Sequence, residues 1–316
     1  MSPRIKPESR PLPVVVPERL FRFRPKVWVG LLMLVGLGFG AHLLWRHSAP
    51  QIARDPEYML TAESIHITPP PPWIRSDIKT QALRDAGLLG TISVLDDWET
   101  LSRRVKEALE FHPWVASVDK ISRRLPSSLN VELHYRKPIA AVESSDPGGV
   151  MFLPIDDRAV RLPEGDLTEA ERRYLPRISG ITGRPLVGDR WDDQRVVGGA
   201  RLAAQLADVW QQLRLVEIVA NLQTSSRDEK QIYRFEIVTI GGTRIVWGMT
   251  PGDEVSTGES PFIQKRQRLL DYAAQHGKLE SIDGPAVLDV RSELVITPKT
   301  ARQKAEARKS EETQTK

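Results

Sequence analysis

The chain has 316 residues, a formal net charge of +4 and no cysteine. Without cysteine it has no disulfide framework, no Cys-ligated zinc site and no thiol nucleophile. No long Lys/Arg block is interleaved with aromatic residues, so the sequence does not predict nucleic-acid binding. About 270 residues follow the most apolar stretch, which leaves room for two modest domains.

That apolar stretch is Val27–Trp45, where nineteen consecutive positions contain no Lys, Arg, Asp or Glu. As a helix it spans roughly 28 Å, close to the hydrocarbon thickness of a bilayer. Trp28 and Trp45 bracket the run, where amphipathic rings favour the headgroup zone. We therefore predict a transmembrane helix over residues 27–45 rather than a core helix of a soluble protein.

The flanks of this helix predict its orientation. Residues 1–26 are rich in proline and their charges are mostly positive, which is typical of a disordered arm. Basic residues stay on the cytoplasmic side, so we expect the amino terminus inside and everything after the span outside. A cleaved secretory signal is the alternative, because His47-Ser48-Ala49 weakly resembles a cleavage site. The long basic arm and long apolar run favour an uncleaved anchor.

The first folded unit is predicted over residues 60–142, after a linker at 46–59. Helical apolar periods, polar caps and alternating strand patterns define its elements. These are a strand at Glu63–Ile67, a helix capped by Ser76 and stopped by Gly87, a helix begun by Asp96 and ended by Pro113, and strands at Val115–Ser122 and Leu129–Tyr135. The order β-α-α-β-β predicts two helices on one face of a three-stranded sheet.

This unit carries three short motifs in a fixed order. They are His112-Pro113-Trp114-Val115, Arg124-Leu125-Pro126-Ser127-Ser128-Leu129 and Arg136-Lys137-Pro138-Ile139-Ala140. Together they resemble the POTRA domain of the FtsQ/DivIB cell-division proteins. The resemblance assigns structural roles to five positions, which are Pro113, Trp114, Val115, Pro126 and Pro138.

The second unit is predicted over residues 143–299 and is richer in strands. Predicted strands include Val150–Ile155, Ala159–Leu162, Leu215–Ala220, Gln231–Ile240, Thr243–Met249, Val287–Arg291 and Glu293–Thr297. The Gly241-Gly242 pair suits a two-residue type I′ turn. The charged tail at 300–316 is expected to be disordered.

Two helices are predicted in the second unit. The first has an apolar face between Arg195 and Leu213 despite Gly198-Gly199. The second begins at Ser260 and Pro261 by the usual N-cap and N1 preferences. We assign its buried side to four apolar residues, Ile263, Leu269, Leu270 and Ala273.

Motifs of the second unit extend the resemblance. They are Leu175-Pro176-Arg177-Ile178-Ser179-Gly180, Ile245-Val246-Trp247-Gly248, Lys265 and Leu288-Asp289-Val290-Arg291. Their order is similar to that of the FtsQ/DivIB β-domain. The expected fold class is therefore α+β: a disordered arm, one transmembrane helix, a POTRA domain and a mostly antiparallel β-domain with helices.

The sequence offers little for catalysis. No H-E-x-x-H, G-x-S-x-G or G-x-x-x-x-G-K-[ST] motif occurs. The paired carboxylates Asp96-Asp97, Asp156-Asp157 and Asp192-Asp193 are interpreted as turns and caps, and His134 with Glu143 is the remaining candidate acid/base pair. We predict no enzyme, cofactor, metal site, nucleic-acid partner or small-molecule substrate.

The resemblance implies a divisome scaffold in the bacterial inner membrane, with its carboxy-terminal domains outside the cytoplasm at the septum. Its implied partners, besides the lipid bilayer, are single-span proteins of the FtsB and FtsL type and, through them, the septal peptidoglycan synthase. An extended partner segment can add to a terminal strand, and we place that edge at Leu294–Pro298 with Asp289 and Arg291. The three central docking residues are Leu294, Val295 and Ile296. The alternative role for Asp289 and Arg291 is a structural ion pair.

The sequence leaves two alternative functions. A POTRA-bearing transport or assembly component generally continues into a membrane β-barrel, but fewer than about twenty polar residues follow the last predicted strand. A membrane-anchored wall hydrolase requires a catalytic constellation that the motifs do not supply.

Overall fold

The computed structural model divides into two units, Met1–Pro56 and Glu57–Lys316. It describes residues 25–53, 55, 58–88, 93–124, 127–146, 149–224, 231–277, 279–281 and 283–304. The expected disordered arm, except for its last two residues, and most of the expected disordered tail lie outside this described part. Pro126 also lies outside it.

In the first unit the described residues form helix α1, Pro25–Ala53. Its segment Trp28–Ser48 is long and apolar enough to cross a membrane, and none of that segment is buried in the protein. The helix extends beyond both ends of the predicted 27–45 span. Trp28 and Trp45 are both exposed on it.

The amino-terminal part of the second unit contains a three-stranded sheet in the order β1-β3-β2. Its elements are β1 (Ile65–Ile67), α2 (Ile78–Asp85), α3 (Trp98–Glu110), β2 (Val115–Arg124) and β3 (Ser128–Tyr135). Strand β3 pairs parallel with β1 and antiparallel with β2. Helix α3 packs on β2, and α2 packs on α3.

Both helices begin one residue later than predicted. The carboxylate of Asp77 accepts the Thr80 N–H at 3.1 Å, and that of Asp97 accepts the Thr100 N–H at 3.0 Å. The predicted cap Asp96 instead accepts the Ser93 N–H at 3.0 Å in the preceding turn. Ser76 and Asp96 were therefore wrong as caps because their side chains bond elsewhere.

The rest of the second unit is built on an eight-stranded sheet in the order β11-β10-β9-β8-β7-β6-β4-β5. Its strands are β4 (Ala140–Asp146), β5 (Gly149–Ile155), β6 (Arg177–Ile181), β7 (Leu215–Thr224), β8 (Gln231–Thr239), β9 (Arg244–Gly248), β10 (Pro285–Asp289) and β11 (Val295–Pro298). Its helices are α4 (Glu169–Tyr174), α5 (Gln194–Gln205) and α6 (Phe262–His276). Four of the strand pairings are antiparallel and three are parallel. The predicted mixed α+β class is confirmed.

Several predicted boundaries in this part were wrong. The segment Ala159–Leu162 makes only isolated bridges, with Ile155 pairing Arg161. Helix α5 stops at Gln205, and beyond it Trp210 and Leu213 are buried in turns, whereas Ala207 in the same stretch is exposed. The apolar spacing therefore predicted most of the burial but not the length of the helix.

The turn between β8 and β9 also differs from the prediction. A type I′ turn needs positive φ at both central residues, but only Gly242 has it, at +75°. The connection runs from Ile240 to Thr243, and the Gly242 N–H donates to the Thr239 carbonyl at 2.9 Å. A Cβ on Gly241 would lie 2.7 Å from the Glu280 backbone, so this glycine permits close chain approach.

The start of α6 and one residue of its buried side were assigned wrongly, whereas Leu269 is buried and Leu270 and Ala273 pack against the core as predicted. Pro261 occupies the N-cap position and no side chain caps the helix. Ile263 is 77% exposed, whereas Lys265 is fully buried beside Leu269 and Tyr272. A lysine in a core position is unexpected because an unpaired buried charge is costly.

Helix α5 lies very close to the sheet at Gly198 and Gly199. A Cβ on Gly198 would lie 2.4 Å from the ring of Phe235 in β8, and one on Gly199 would lie 2.8 Å from Ile178 in β6. The two glycines therefore remove the side chains that would push the helix off the sheet.

Replacing Gly198 by Ala should destabilise the protein by about 1–3 kcal/mol, the usual result of overpacking. An exposed helical Gly→Ala change would instead stabilise by about 1 kcal/mol, so the sign is diagnostic. The exposed Gly165 has nothing near its Cβ position, and Gly165→Ala is the control. Denaturant unfolding of both variants measures the difference, and equal stabilities would contradict the packing explanation.

His112 is a buried histidine where α3 joins β2. Its Nε2 lies 3.2 Å from Gln81 Oε1, and its Nδ1 accepts the Trp114 N–H at 3.3 Å. Burial lowers the pKa of His112 below its ordinary value of 6.5, although the carboxylates of Asp166 and Asp85 oppose that change. The folded protein therefore favours the neutral ring.

Stability should consequently fall as the pH drops below 6.5 toward the lowered pKa, since the unfolded chain binds this proton first. A His112→Gln variant should lose that part of the pH dependence, whereas the exposed His66→Gln control should keep it. Urea unfolding between pH 7.5 and 5, about the range in which histidine titrates, measures both slopes. Identical slopes in the wild type and His112→Gln would contradict this assignment.

Candidate partner-binding edge

Strand β11 forms one end of the eight-stranded sheet and pairs only with β10. All four residues of β11 are exposed, including Val295 at 57% and Ile296 at 45%. Successive side chains of a strand point to opposite faces, so no described residue covers either face of β11. We call the segment Leu294–Pro298 the docking edge.

The docking edge has unused backbone hydrogen-bonding groups. Its antiparallel register with β10 pairs Asp289 with Val295, Leu288 with Ile296 and Val287 with Thr297. In such a ladder about half of the N–H and C=O groups of an edge strand point away from the partner strand. An extended chain can bind these groups.

The opposite edge of the same sheet, β5, is better protected. The Leu162 N–H donates to the Pro154 carbonyl at 2.8 Å, which pairs the carboxyl-terminal half of β5. The guanidinium of Arg173 lies 5.9 Å from the Phe152 ring centre, and Arg184 contacts the Met151 sulfur at 3.9 Å. Positive charge discourages strand addition, and the Leu162 hydrogen bond occupies part of β5, so β5 is the more protected of the two edges.

Asp289 and Arg291 form an ion pair beside the docking edge. Arg291 Nη2 lies 2.6 Å from Asp289 Oδ2, and the Arg291 N–H donates to Asp289 Oδ1 at 3.0 Å. Burial raises the pKa of Asp289, but hydrogen bonds from Arg291 outweigh burial and lower it overall. The structural role weighed in the sequence analysis is therefore present, and direct contact with a partner stays a prediction.

A groove of about 430 Å³ lies beside Ile296. Tyr272 and His276 of α6 stack on one another in its wall, with ring centres 4.4 Å apart. Lys299 Nζ, just past β11, donates to the Gly241 carbonyl at 2.6 Å. The docking edge therefore adjoins an aromatic surface and is tied down at its carboxyl end.

The buried Lys265 holds the loop before α6 against the sheet. Its Nζ donates to Glu259 Oε2 at 2.6 Å and to the Trp247 carbonyl at 3.0 Å. Glu259 also accepts the Met249 N–H at 2.9 Å. Gly248 permits this approach, because a Cβ there would lie 2.2 Å from the Glu259 carboxylate.

The same region restrains the turn that leads into the docking edge. The Ser260 N–H donates to the Arg291 carbonyl at 2.7 Å. Arg268 of α6 donates to the Val290 carbonyl at 3.0 Å. The Glu259–Lys265 pair thus positions the loop before α6, and that loop holds the turn between β10 and β11. No local sequence signal indicated this role.

The other predicted site residues lie away from this edge. Trp114 and Val115 are buried at the start of β2. Pro113 lies beside Gly188, and Pro138 is in the connection between β3 and β4. His134 bonds Asp119 at 3.1 Å and Glu143 lies 3.5 Å from Arg177. The two members of the candidate acid/base pair therefore have separate partners, Asp119 and Arg177.

The paired carboxylates have structural partners. Asp97 and Asp193 are N-caps of α3 and α5, and Asp156 forms a buried ion pair with Arg136 at 2.6 Å. Within the described part of the chain, no group of three or more His, Asp or Glu side chains could hold a metal ion.

Replacing Lys265 by Met should cost up to about 3–5 kcal/mol, because the buried Glu259 carboxylate loses its hydrogen-bonded cation and keeps only the more distant Arg234, at 3.8 Å. Adding Glu259→Gln to this variant should recover part of the loss, since the amide oxygen can still accept the Met249 N–H. The exposed Gln264→Met variant on the same helix is the control. Chemical denaturation measures all three, and a Lys265→Met loss no larger than that of the control would refute the positioning role.

No protein-family model matches the chain, and no curated protein is significantly similar to it.

Proposed function

We propose that this chain is an FtsQ/DivIB-like division protein that docks partner membrane proteins through the β11 edge. The observation that carries the proposal is the uncovered terminal strand, which is fixed by the Glu259–Lys265 loop and unlike the protected β5 edge. The function is that of a scaffold rather than an enzyme.

The amino-terminal helix supports a membrane-anchored scaffold. Segment Trp28–Ser48 has the length and composition of a single membrane span. The basic arm before it favours a cytoplasmic amino terminus, so residues 57–316 are proposed to lie outside the cytoplasm. Location at the division septum is part of the same proposal and follows from the resemblance.

The first sheet supports the POTRA assignment. Its elements follow the order β-α-α-β-β, with α3 packed on β2. Pro113, Trp114 and Val115, which carry part of the resemblance, lie where α3 passes into β2. On this assignment the POTRA domain spans about 60–142 and the β-domain about 143–299, with the chain leaving the first sheet at Tyr135 and entering the second at Ala140.

The proposed mechanism is strand addition. An extended segment of a partner pairs its backbone with the free N–H and C=O groups of β11, and this pairing supplies affinity. Alternate side chains of that segment then reach Val295 on one face and Ile296 on the other, which supplies specificity. The partners expected from the resemblance are FtsB- and FtsL-type single-span proteins, which link the scaffold to the septal peptidoglycan synthase.

The test compares the two edges of one sheet. Val295→Asp with Ile296→Asp places charge on both faces of β11, whereas Val150→Asp places charge on the exposed end of β5. We expect the β11 variant to lose capture of its membrane partners from dividing cells, and the β5 variant to keep it. Crosslinking followed by mass spectrometry measures capture, and a fluorescent fusion reports midcell position.

Retention of partner capture by the β11 variant would refute docking at this edge. Uniform membrane fluorescence of the wild-type fusion throughout the cell cycle would refute the division role itself. Circular dichroism of both variants verifies that the substitutions leave the fold intact.

A further inference from the structure

A buried carboxylate joins the two sheets of the Glu57–Lys316 unit. Asp166 lies in the short helical turn Glu164–Asp166, after the chain has entered the eight-stranded sheet, and is only 5% exposed. Its carboxylate accepts four hydrogen bonds, all from the segment that builds the first sheet. The donors are Trp114 Nε1 at 2.5 Å, the Ser76 N–H at 2.6 Å, the Ser76 hydroxyl at 2.9 Å and the Arg75 N–H at 2.9 Å.

An apolar contact accompanies this carboxylate. Leu162, four residues before Asp166, is completely buried and belongs to the hydrophobic core of the first sheet, with Trp114 and Leu109. The backbone of Leu162 meanwhile donates to the Pro154 carbonyl of β5 at 2.8 Å. The side chain of one residue thus completes one core while its backbone extends the other sheet.

Ion pairs lie on both sides of Asp166. Arg136, directly after β3, pairs with the buried Asp156 at 2.6 Å. Arg75 pairs with Glu171 at 2.8 Å and also donates to the backbone carbonyl of Asp166. Finally, Pro113 would lie 3.3 Å from a Cβ on Gly188, so these loops pack closely. Contacts between the sheets therefore extend over much more than the covalent connection.

We propose that residues 156–171, here called the clasp, lock the first sheet to the second so that the two sheets move as one rigid body. Domains joined by a short connection move relative to one another unless the interface between them is extensive. The short connection from Tyr135 to Ala140 restricts the relative orientation of the two sheets, since its Arg136 and Ile139 N–H groups donate to the Trp114 and Ile155 carbonyls at 2.9 Å. Asp166 fixes this orientation, because separating the sheets exposes Leu162 and breaks four hydrogen bonds to one carboxylate at once.

The absence of cysteine makes the test direct, since two introduced cysteines are the only sites for spin labels. Arg103→Cys on α3 and Gln264→Cys on α6 place one exposed label on each part. The distance distribution between the labels is measured in the full chain in detergent micelles by double electron–electron resonance. We expect one narrow peak for the otherwise unmodified protein.

Asp166→Asn keeps the size of the side chain but presents N–H donors to the donors of Ser76 and Trp114. This variant should lose the narrow peak and give a broad distribution. The control is Glu169→Gln, which lies in the same segment but removes only an exposed pair with Arg173, and it should keep the narrow peak. A broad distribution before any clasp mutation, or an unchanged narrow peak in Asp166→Asn, overturns the proposal.

Hydrogen exchange covers the case in which Asp166→Asn loses structure. Faster exchange confined to α2, α3 and β1–β3, with β4–β11 still protected, supports dependence of the first core on the clasp. Faster exchange confined to β4–β11, or equal in both sheets, overturns it. The measurements need no partner protein, so their result is independent of the proposed docking function.

Discussion

The hydrogen bond from the Trp114 indole to the Asp166 carboxylate is the interaction on which the second unit depends. Trp114 fills the first core, and Asp166 belongs to a segment bound to the second sheet. A buried carboxylate is tolerated only where donors surround it, and here every donor to its side chain comes from the first sheet's part of the chain. The bond is therefore at once a condition for burying Asp166 and a link between two cores.

Buried ion pairs hold loops in place in both sheet-containing parts of the Glu57–Lys316 unit. Asp156 with Arg136 and Glu259 with Lys265 are ion pairs that lie almost entirely inside the protein. Such pairs add little net stability over well-packed apolar residues, but breaking one is costly. What they provide is a defined position for nearby loops. The Asp156–Arg136 pair orders the junction of the two sheets, and the Glu259–Lys265 pair orders the loop that holds the turn before β11. The carboxylates Asp97, Asp156 and Asp193 from the paired-carboxylate motifs thus have structural roles, as helix caps or in a buried ion pair.

The long apolar helix near the amino terminus, the mixed α+β class and the last strand at the sheet edge follow from the sequence because each leaves a local pattern of charge, period or alternation. The cap assigned to Ser76 failed because Ser76 bonds a carboxylate 90 positions later in the chain, which no local pattern reveals. The cap assigned to Asp96 failed because its carboxylate closes the preceding turn on Ser93 and leaves the cap to Asp97. Lys265 was missed as a core residue for a similar reason, since a lysine on a helix is normally solvated and its partners Glu259 and Trp247 meet it only after folding. The length of α5 failed because turns can bury Trp210 and Leu213 as well as a helix can.

The exposure of both faces of β11 has a consequence for whatever pairs with it. A strand that adds to this edge becomes the new outermost strand and carries its own unpaired amide groups outward. Growth of the sheet would then continue from chain to chain unless the newcomer ends it. The four-residue length of β11 limits such growth, and a newcomer with proline, charge or a following helix would stop it. The partner segment that binds β11 must therefore itself contain the feature that stops further strand addition.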